Sequence, residues 1–164
     1  MPELRLVIFD VEGTLIDSPA AAPQVRPLVP GARAALDRLR ADPFTLLAVA
    51  TGTSRRRLDA LIAAEGLAGV FDTTQTSDHH PSKPHPAMVL ACLSETGVAA
   101  RRAVMVGDTR SDMEMARAGG VRGLGVGWGR PAPDTLTADV VISAFTGLDG
   151  AVDALIGPST EQDA

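Results

Sequence analysis

The chain has 164 residues, enough for one domain with a real core and short for two, and 45% of them are hydrophobic against 21% charged. A net charge of −5 argues against a general electrostatic partnership with nucleic acid or an anionic membrane surface. One cysteine, Cys92, excludes an internal disulfide and a multi-cysteine zinc cluster.

In chain order, "LRLVIF" (4–9) predicts a buried strand, followed by a loop rich in Pro and Ala, "DSPAAAPQVRPLVP". A helix follows from Gly31, with Ala32, Ala35, Leu36 and Leu39 on one face. "FTLLAVAT" (44–51) is a second buried strand, and 54–65 a helix with Leu58, Leu61 and Ile62 on its stripe. "VFDTTQT" gives a short strand and 86–97 a helix, in which Cys92 reads as a packed core thiol. "AVMVGD" (103–108) is a further strand and 110–118 a helix, with Met113 and Ala116 turned to the core. "GLGVGW" and "DVVISA" supply two more strands, and 147–156 a last helix.

Strands without alternation, each followed by a helix, predict a parallel sheet covered on both faces: a three-layer, doubly wound α/β domain of Rossmann-like type. The expected organisation is a single core domain over residues 1–157 with a frayed tail at 158–164. No apolar run approaches the roughly 18 residues that span a bilayer, and "MPELRL" lacks a signal-peptide pattern, so the cytoplasm is the default expectation.

Open parallel sheets bind ligands at the carboxyl ends of their strands. Three strands here finish on polar groups: Asp10 and Glu12 after the first, Thr51 after the second, and Asp108 after "AVMVG". Asp112 follows Asp108 by four residues, one turn into the next helix. Clustered carboxylates repel one another unless a cation sits among them. Oxygen donors without His or Cys favour a hard ion, and Mg²⁺ fits best. The competing reading of "GDTRSD" is that its acids merely cap a helix. Beyond metal binding, an aspartate at a strand end can act as a nucleophile on phosphorus, and a second acid can serve as general acid and base. The Thr51 hydroxyl can hold a phosphate oxygen, and Lys83 in "PSKPHP" can balance charge between phosphate and nucleophile.

These four segments, in order, resemble the haloacid dehalogenase superfamily and its phosphoglycolate-phosphatase-like branch: "DVEGT", "VATGTS", "SKPHP" and "VGDTRSD". The resemblance covers roughly residues 5–156. It implies a Mg²⁺-dependent phosphoric monoester hydrolase in which Asp10 is the nucleophile and a metal ligand. Glu12 takes the acid/base position, with its backbone carbonyl as a second ligand. Thr51, Gly52 and Lys83 match the phosphate-binding positions, and amides of Val11, Glu12 and Gly52 would face the phosphate. Asp108 matches the main acidic metal ligand, and Asp112 is either a ligand or the holder of a ligand water.

Two features depart from that pattern. Most phosphatases of the family carry Asp where this chain has Glu12, although a branch resembling enolase-phosphatases uses Glu. The helical cap expected after the first motif is missing, since only Ser18 to Pro30, thirteen residues, precede the next helix. An open site follows, suited to a phosphorylated small molecule or to a phosphate exposed on a larger substrate, unless a homo-oligomer covers it. The alternative class is a catalytically weak or inactive interaction protein that keeps the fold. Of the remaining residues, Arg55, Arg56 and Arg57 read as a solvated face, with an arginine reaching the phosphate site as the competing reading. Adjacent His79 and His80 lack a metal-ligand spacing, His85 belongs to a helix start, and Trp128 either walls the site or packs.

Overall fold

The computed structural model describes residues 3–16, 28–128 and 137–158. Six parallel strands, β1 (Arg5–Phe9), β2 (Thr45–Thr51), β3 (Thr73–Thr76), β4 (Ala103–Gly107), β5 (Arg122–Val126) and β6 (Val140–Ile142), form one sheet. Among the described residues five helices accompany them: α1 (Ala32–Arg40), α2 (Arg55–Ala64), α3 (Ala87–Thr96), α4 (Arg110–Ala118) and α5 (Leu148–Ile156). The expected α/β architecture is therefore observed, with element ends shifted by a residue or two. Single 3₁₀ turns, Ala100–Arg102 and Phe145–Gly147, lead into β4 and α5. The expected tail lies outside the described residues beyond Pro158, as does most of the Ser18–Pro30 connection.

Alternation of side chains across β1 explains why both faces need helices. Val7 and Phe9 face one layer, where Leu36 and Leu39 of α1 and Leu148, Val152 and Ile156 of α5 cover them. Leu6 and Ile8 face the other, against Met88, Val89 and Cys92 of α3 and Met115 and Ala116 of α4. Each such fully buried aliphatic side chain contributes roughly 1.5–3 kcal/mol, which is why these runs are apolar almost throughout. Helix α2 packs Leu58 and Leu61 on Val49 and on Val11 and Ile16 of the loop after β1, so the same helix that follows β2 also supports the β1 loop. Cys92 is fully buried and its thiol is pushed up to about 12 by that burial, as expected of a core residue.

The strand order β3-β2-β1-β4-β5-β6 reverses direction between β1 and β4. At such a switch point the connections leave towards opposite sides and open a crevice at the strand ends. The ladder continues to its rim, where the Asp10 amide donates to the Val106 carbonyl at 2.9 Å. Asp10 and Asp108, nearly a hundred residues apart in sequence, thereby become neighbours.

Candidate active site

Beyond Phe9 the chain turns sharply. The Leu15 amide returns to the Val11 carbonyl at 2.9 Å and the Gly13 amide to Ile16 at 2.8 Å. Gly13 sits at φ 83°, and a Cβ there would stand 2.0 Å from Asp108 Oδ2, so only glycine lets this turn lie against the β4 end. Thr14 directs its hydroxyl at Asp108 Oδ1 across a long 3.5 Å. Trp128, at the end of β5, donates its indole N–H to the Thr14 carbonyl at 3.1 Å while its ring packs 4.7 Å from that of Phe145. Its role is to anchor the turn through packing.

At the end of β4, Thr109 caps α4: its hydroxyl accepts from the Asp112 amide at 3.1 Å, and Asp112 Oδ2 accepts from the Thr109 amide at 3.1 Å. Both halves of a capping box are present. Asp112 Oδ2 also accepts from the Asp108 amide at 3.1 Å. Its other oxygen accepts from Lys83 Nζ at 2.6 Å, and Lys83 reaches Asp10 Oδ1 at 2.8 Å. The capping reading of "GDTRSD" therefore holds, and it leaves room for a second role, because the two oxygens of the Asp112 carboxylate serve different partners. A Cβ on Gly107 would stand 2.4 Å from Asp112 Oδ2, so this acid also needs the adjoining glycine.

Burial is severe here. Asp112 has no exposed surface, and Asp10 and Asp108 are buried with it. One oxygen from each of the three lies within 4.8 Å of the others. Burial pushes the Asp10 carboxyl well above the usual range, and the Asp112 charge adds to this, with Lys83 opposing both. Asp108 is raised as well, first by burial and then by Asp112. For Lys83 burial acts downward, yet Asp10 and Asp112 outweigh it and hold the ammonium above its ordinary value. Three acids against one ammonium leave excess acidic charge at a buried cluster. An all-oxygen set with that imbalance fits a hard divalent cation.

The end of β2 forms the facing wall. Thr51 Oγ1 accepts from the Thr53 amide at 3.0 Å, which leaves the hydroxyl proton available to an oxygen in the cleft. A Cβ on Gly52 would meet nothing within 4 Å. Ser54 caps α2 by accepting from the Arg57 amide at 3.3 Å. Glu12 crosses from the β1 loop, and its Oε1 accepts from the Thr53 hydroxyl at 3.1 Å and pairs with Arg57 Nη2 at 3.5 Å. Asp10, Glu12, Thr51, Gly52, Lys83, Asp108 and Asp112 all line one cleft of about 670 Å³. These seven residues singled out for chemistry are therefore brought together, while the Val11 side chain packs against Leu58 and Leu61 instead.

The three arginines diverge from their expected common face. Arg57 lines the cleft, and Arg55 turns away to Thr74, with Nη1 2.6 Å from Thr74 Oγ1. Arg56 alone is simply exposed. Thr53, Ser54 and Arg57 are site residues that sequence reasoning did not single out individually; the "TGTS" segment and a basic first turn on α2 were the only signals. Among the histidines, His80 meets Gln75 Oε1 at 2.8 Å and His85 Nδ1 accepts from the Ala87 amide at 3.1 Å, so His85 helps start α3 behind Lys83.

A hydrolase family model, haloacid dehalogenase-like hydrolase, matches residues 19–120. The chain belongs to this family. The matched segment of this haloacid dehalogenase-like hydrolase takes in Thr51, Lys83, Asp108 and Asp112 and begins after Asp10 and Glu12. The chain is 39% identical over 140 residues to "Probable phosphatase IndB" of Dickeya dadantii, covering 82% of this chain and 60% of that one. It is 32% identical over 120 residues to a phosphoglycolate phosphatase of Chromobacterium violaceum, covering 73% of this chain and 54% of that one. The chain thus spans little more than half the length of these relatives. Its fold is similar to that of a HAD-superfamily hydrolase of subfamily IA from Geobacter sulfurreducens, with TM-score 0.77, 21% identity and coverage of 90% and 99% of the two chains. Among the described residues, no helix is long and apolar enough to cross a membrane.

Proposed function

We propose that residues 1–157 form one catalytic core that hydrolyses a phosphate monoester through an aspartyl-phosphate on Asp10, with Mg²⁺ as cofactor. The observation that carries this reading is the convergence of Asp10, Asp108, Asp112 and Lys83 at the switch point, opposite Thr51 and Glu12. Asp10, Asp108 and the Glu12 backbone carbonyl would hold the ion, with Asp112 beside them. When bound, the ion supplies the counter-charge that keeps buried carboxylates ionised and neutralises a phosphoryl oxygen.

The remaining work falls to the chain itself. Thr51 donates its hydroxyl to a phosphate oxygen, the Gly52 amide adds a second donor, and Lys83 offsets the negative charge of phosphate and nucleophile. Asp10 attacks phosphorus through a carboxylate oxygen as the ester oxygen departs, and Glu12 gives its proton to that oxygen. The deprotonated Glu12 then takes a proton from water as the water oxygen attacks phosphorus. The bond to Asp10 breaks, orthophosphate is released, and both acids return to their initial states. Lys83 pins Asp10 Oδ1, which fixes the nucleophile's orientation before substrate arrives.

The connection between Asp10 and α1 is too short for a helical cap, so the cleft admits a phosphorylated small molecule or a phosphate projecting from a larger one. The name of the phosphoglycolate phosphatase relative supports a small phosphate ester, and that of the other supports a phosphatase. Purified protein should hydrolyse p-nitrophenyl phosphate with Mg²⁺, and should stop on adding EDTA or on Asp10→Asn. A folded protein that turns over no phosphate ester with Mg²⁺, Mn²⁺ or Co²⁺ would overturn the reading in favour of an interaction protein.

A further inference from the structure

We infer that Thr53 and Arg57 are positioning residues that clamp Glu12 and so adapt this site to a glutamate. The inference rests on the acid/base role proposed for Glu12. A glutamate carries one more rotatable methylene than an aspartate, and the Glu12 side chain is 35% exposed at the mouth of the cleft. Left alone it would sample several rotamers, few of which place a carboxyl oxygen for proton transfer.

Two contacts remove that freedom, and both fall on Oε1: the Thr53 hydroxyl at 3.1 Å and Arg57 Nη2 at 3.5 Å. Their shared target leaves Oε2 as the oxygen that gives and takes the proton. Neither partner is itself loose at the backbone. The Thr53 amide is tied to Thr51 Oγ1 at 3.0 Å, and the Arg57 amide to the capping Ser54 Oγ at 3.3 Å. The clamp is therefore referenced to the same Thr51 hydroxyl that faces the phosphate. Acid/base group and phosphate donor stay in register through three consecutive residues and one helical turn. As an ion pair the Arg57 contact contributes little energy, since its side chain is 56% exposed. Its value is directional, as a second contact on an oxygen already held by a hydroxyl. An aspartate at position 12 would be too short to keep both contacts, so the clamp has a use only with glutamate.

The test is a double-mutant cycle with p-nitrophenyl phosphate and Mg²⁺, together with the three-bond couplings that report the Glu12 side-chain rotamer by NMR. Thr53→Val and Arg57→Gln should each lower kcat about 10-fold while KM moves less than about twofold, and Thr53→Ser should restore the rate. In a Glu12→Asp background, neither change should cost anything further. Glu12 should show one rotamer in the unaltered protein and averaged couplings in Thr53→Val and Arg57→Gln. A rise in KM at constant kcat for Arg57→Gln would make it a substrate contact and overturn the clamp. Full additivity with Glu12→Asp, or an unchanged single rotamer in both variants, would also overturn it. If the unaltered protein turns over no ester, the proposed function fails and the couplings alone decide: averaging on loss of Thr53 or Arg57 upholds the clamp, and its absence rejects it.

Discussion

Replacing Asp108 by Asn should stabilise the metal-free protein while abolishing its response to Mg²⁺. Asp108 is buried, and its carboxyl oxygen lies within 4.8 Å of those of Asp10 and Asp112. Two unit charges 4.8 Å apart at an effective dielectric of ~20 repel by about 3.5 kcal/mol. Lys83 and the amides on Asp112 offset part of that, and partial protonation relieves more, leaving a gain of about 1–2 kcal/mol on neutralisation. For a chain of this size such a gain raises Tm by about 2–8 °C. The pH dependence has a definite sign. The folded carboxyl titrates above its ordinary value of 3.8, so the folded state binds more protons than the unfolded chain between the two values. Metal-free protein therefore loses stability as pH rises through that window. The advantage of Asp108→Asn grows there, holds at neutral pH and vanishes below 3.8. Mg²⁺ at ten times its Kd should stabilise the unaltered protein by about 1.4 kcal/mol and leave the variant unmoved. Thermal unfolding by circular dichroism, with EDTA and with Mg²⁺, measures all of this. A lower Tm for the variant in EDTA, or an equal Mg²⁺ shift in both proteins, would refute the reasoning.

Lys83→Met removes the ammonium between Asp10 and Asp112 from a site only 12% exposed, so turnover should fall by about 10²-fold or more. Fluorescence or circular dichroism melts should show a loss of about 3 kcal/mol in EDTA, largely recovered by Mg²⁺. Gly13→Ala should cost about 1–2 kcal/mol from its positive φ and displace Asp108, which calorimetric Mg²⁺ titration would read as weakened binding. Thr109→Ala breaks half of the α4 capping box and should lower stability by about 1 kcal/mol in denaturant unfolding, with no change in the unfolding slope.

The fold was legible because parallel strands buried on both faces cannot alternate, and β1, β2 and β4 are apolar almost throughout. The acids were legible for the opposite reason: charge directly after such strands is costly without a partner. What escaped was the part of the facing wall beyond Thr51 and Gly52, namely Thr53, Ser54 and Arg57. Arg55, Arg56 and Arg57 are alike in sequence, and only the rotation of α2 on Leu58 and Leu61 sends Arg57 to Glu12 and Arg55 to Thr74. Spacing could likewise not show that Asp112 both caps α4 and holds Lys83, since that depends on how the 77–86 segment returns over the strand ends. The indole bond from Trp128 to Thr14 joins elements more than a hundred residues apart, and nothing local announces it.

The central claim is that Asp10 receives a phosphoryl group beside a divalent ion shared with Asp108. Beryllofluoride mimics that group, and ¹⁹F NMR reads its binding without turnover. The account predicts bound fluorine resonances with Mg²⁺ that disappear in EDTA, in Asp10→Asn and in Asp108→Asn. Folded protein that shows no bound resonance with Mg²⁺, or that keeps it in Asp10→Asn, would contradict the account.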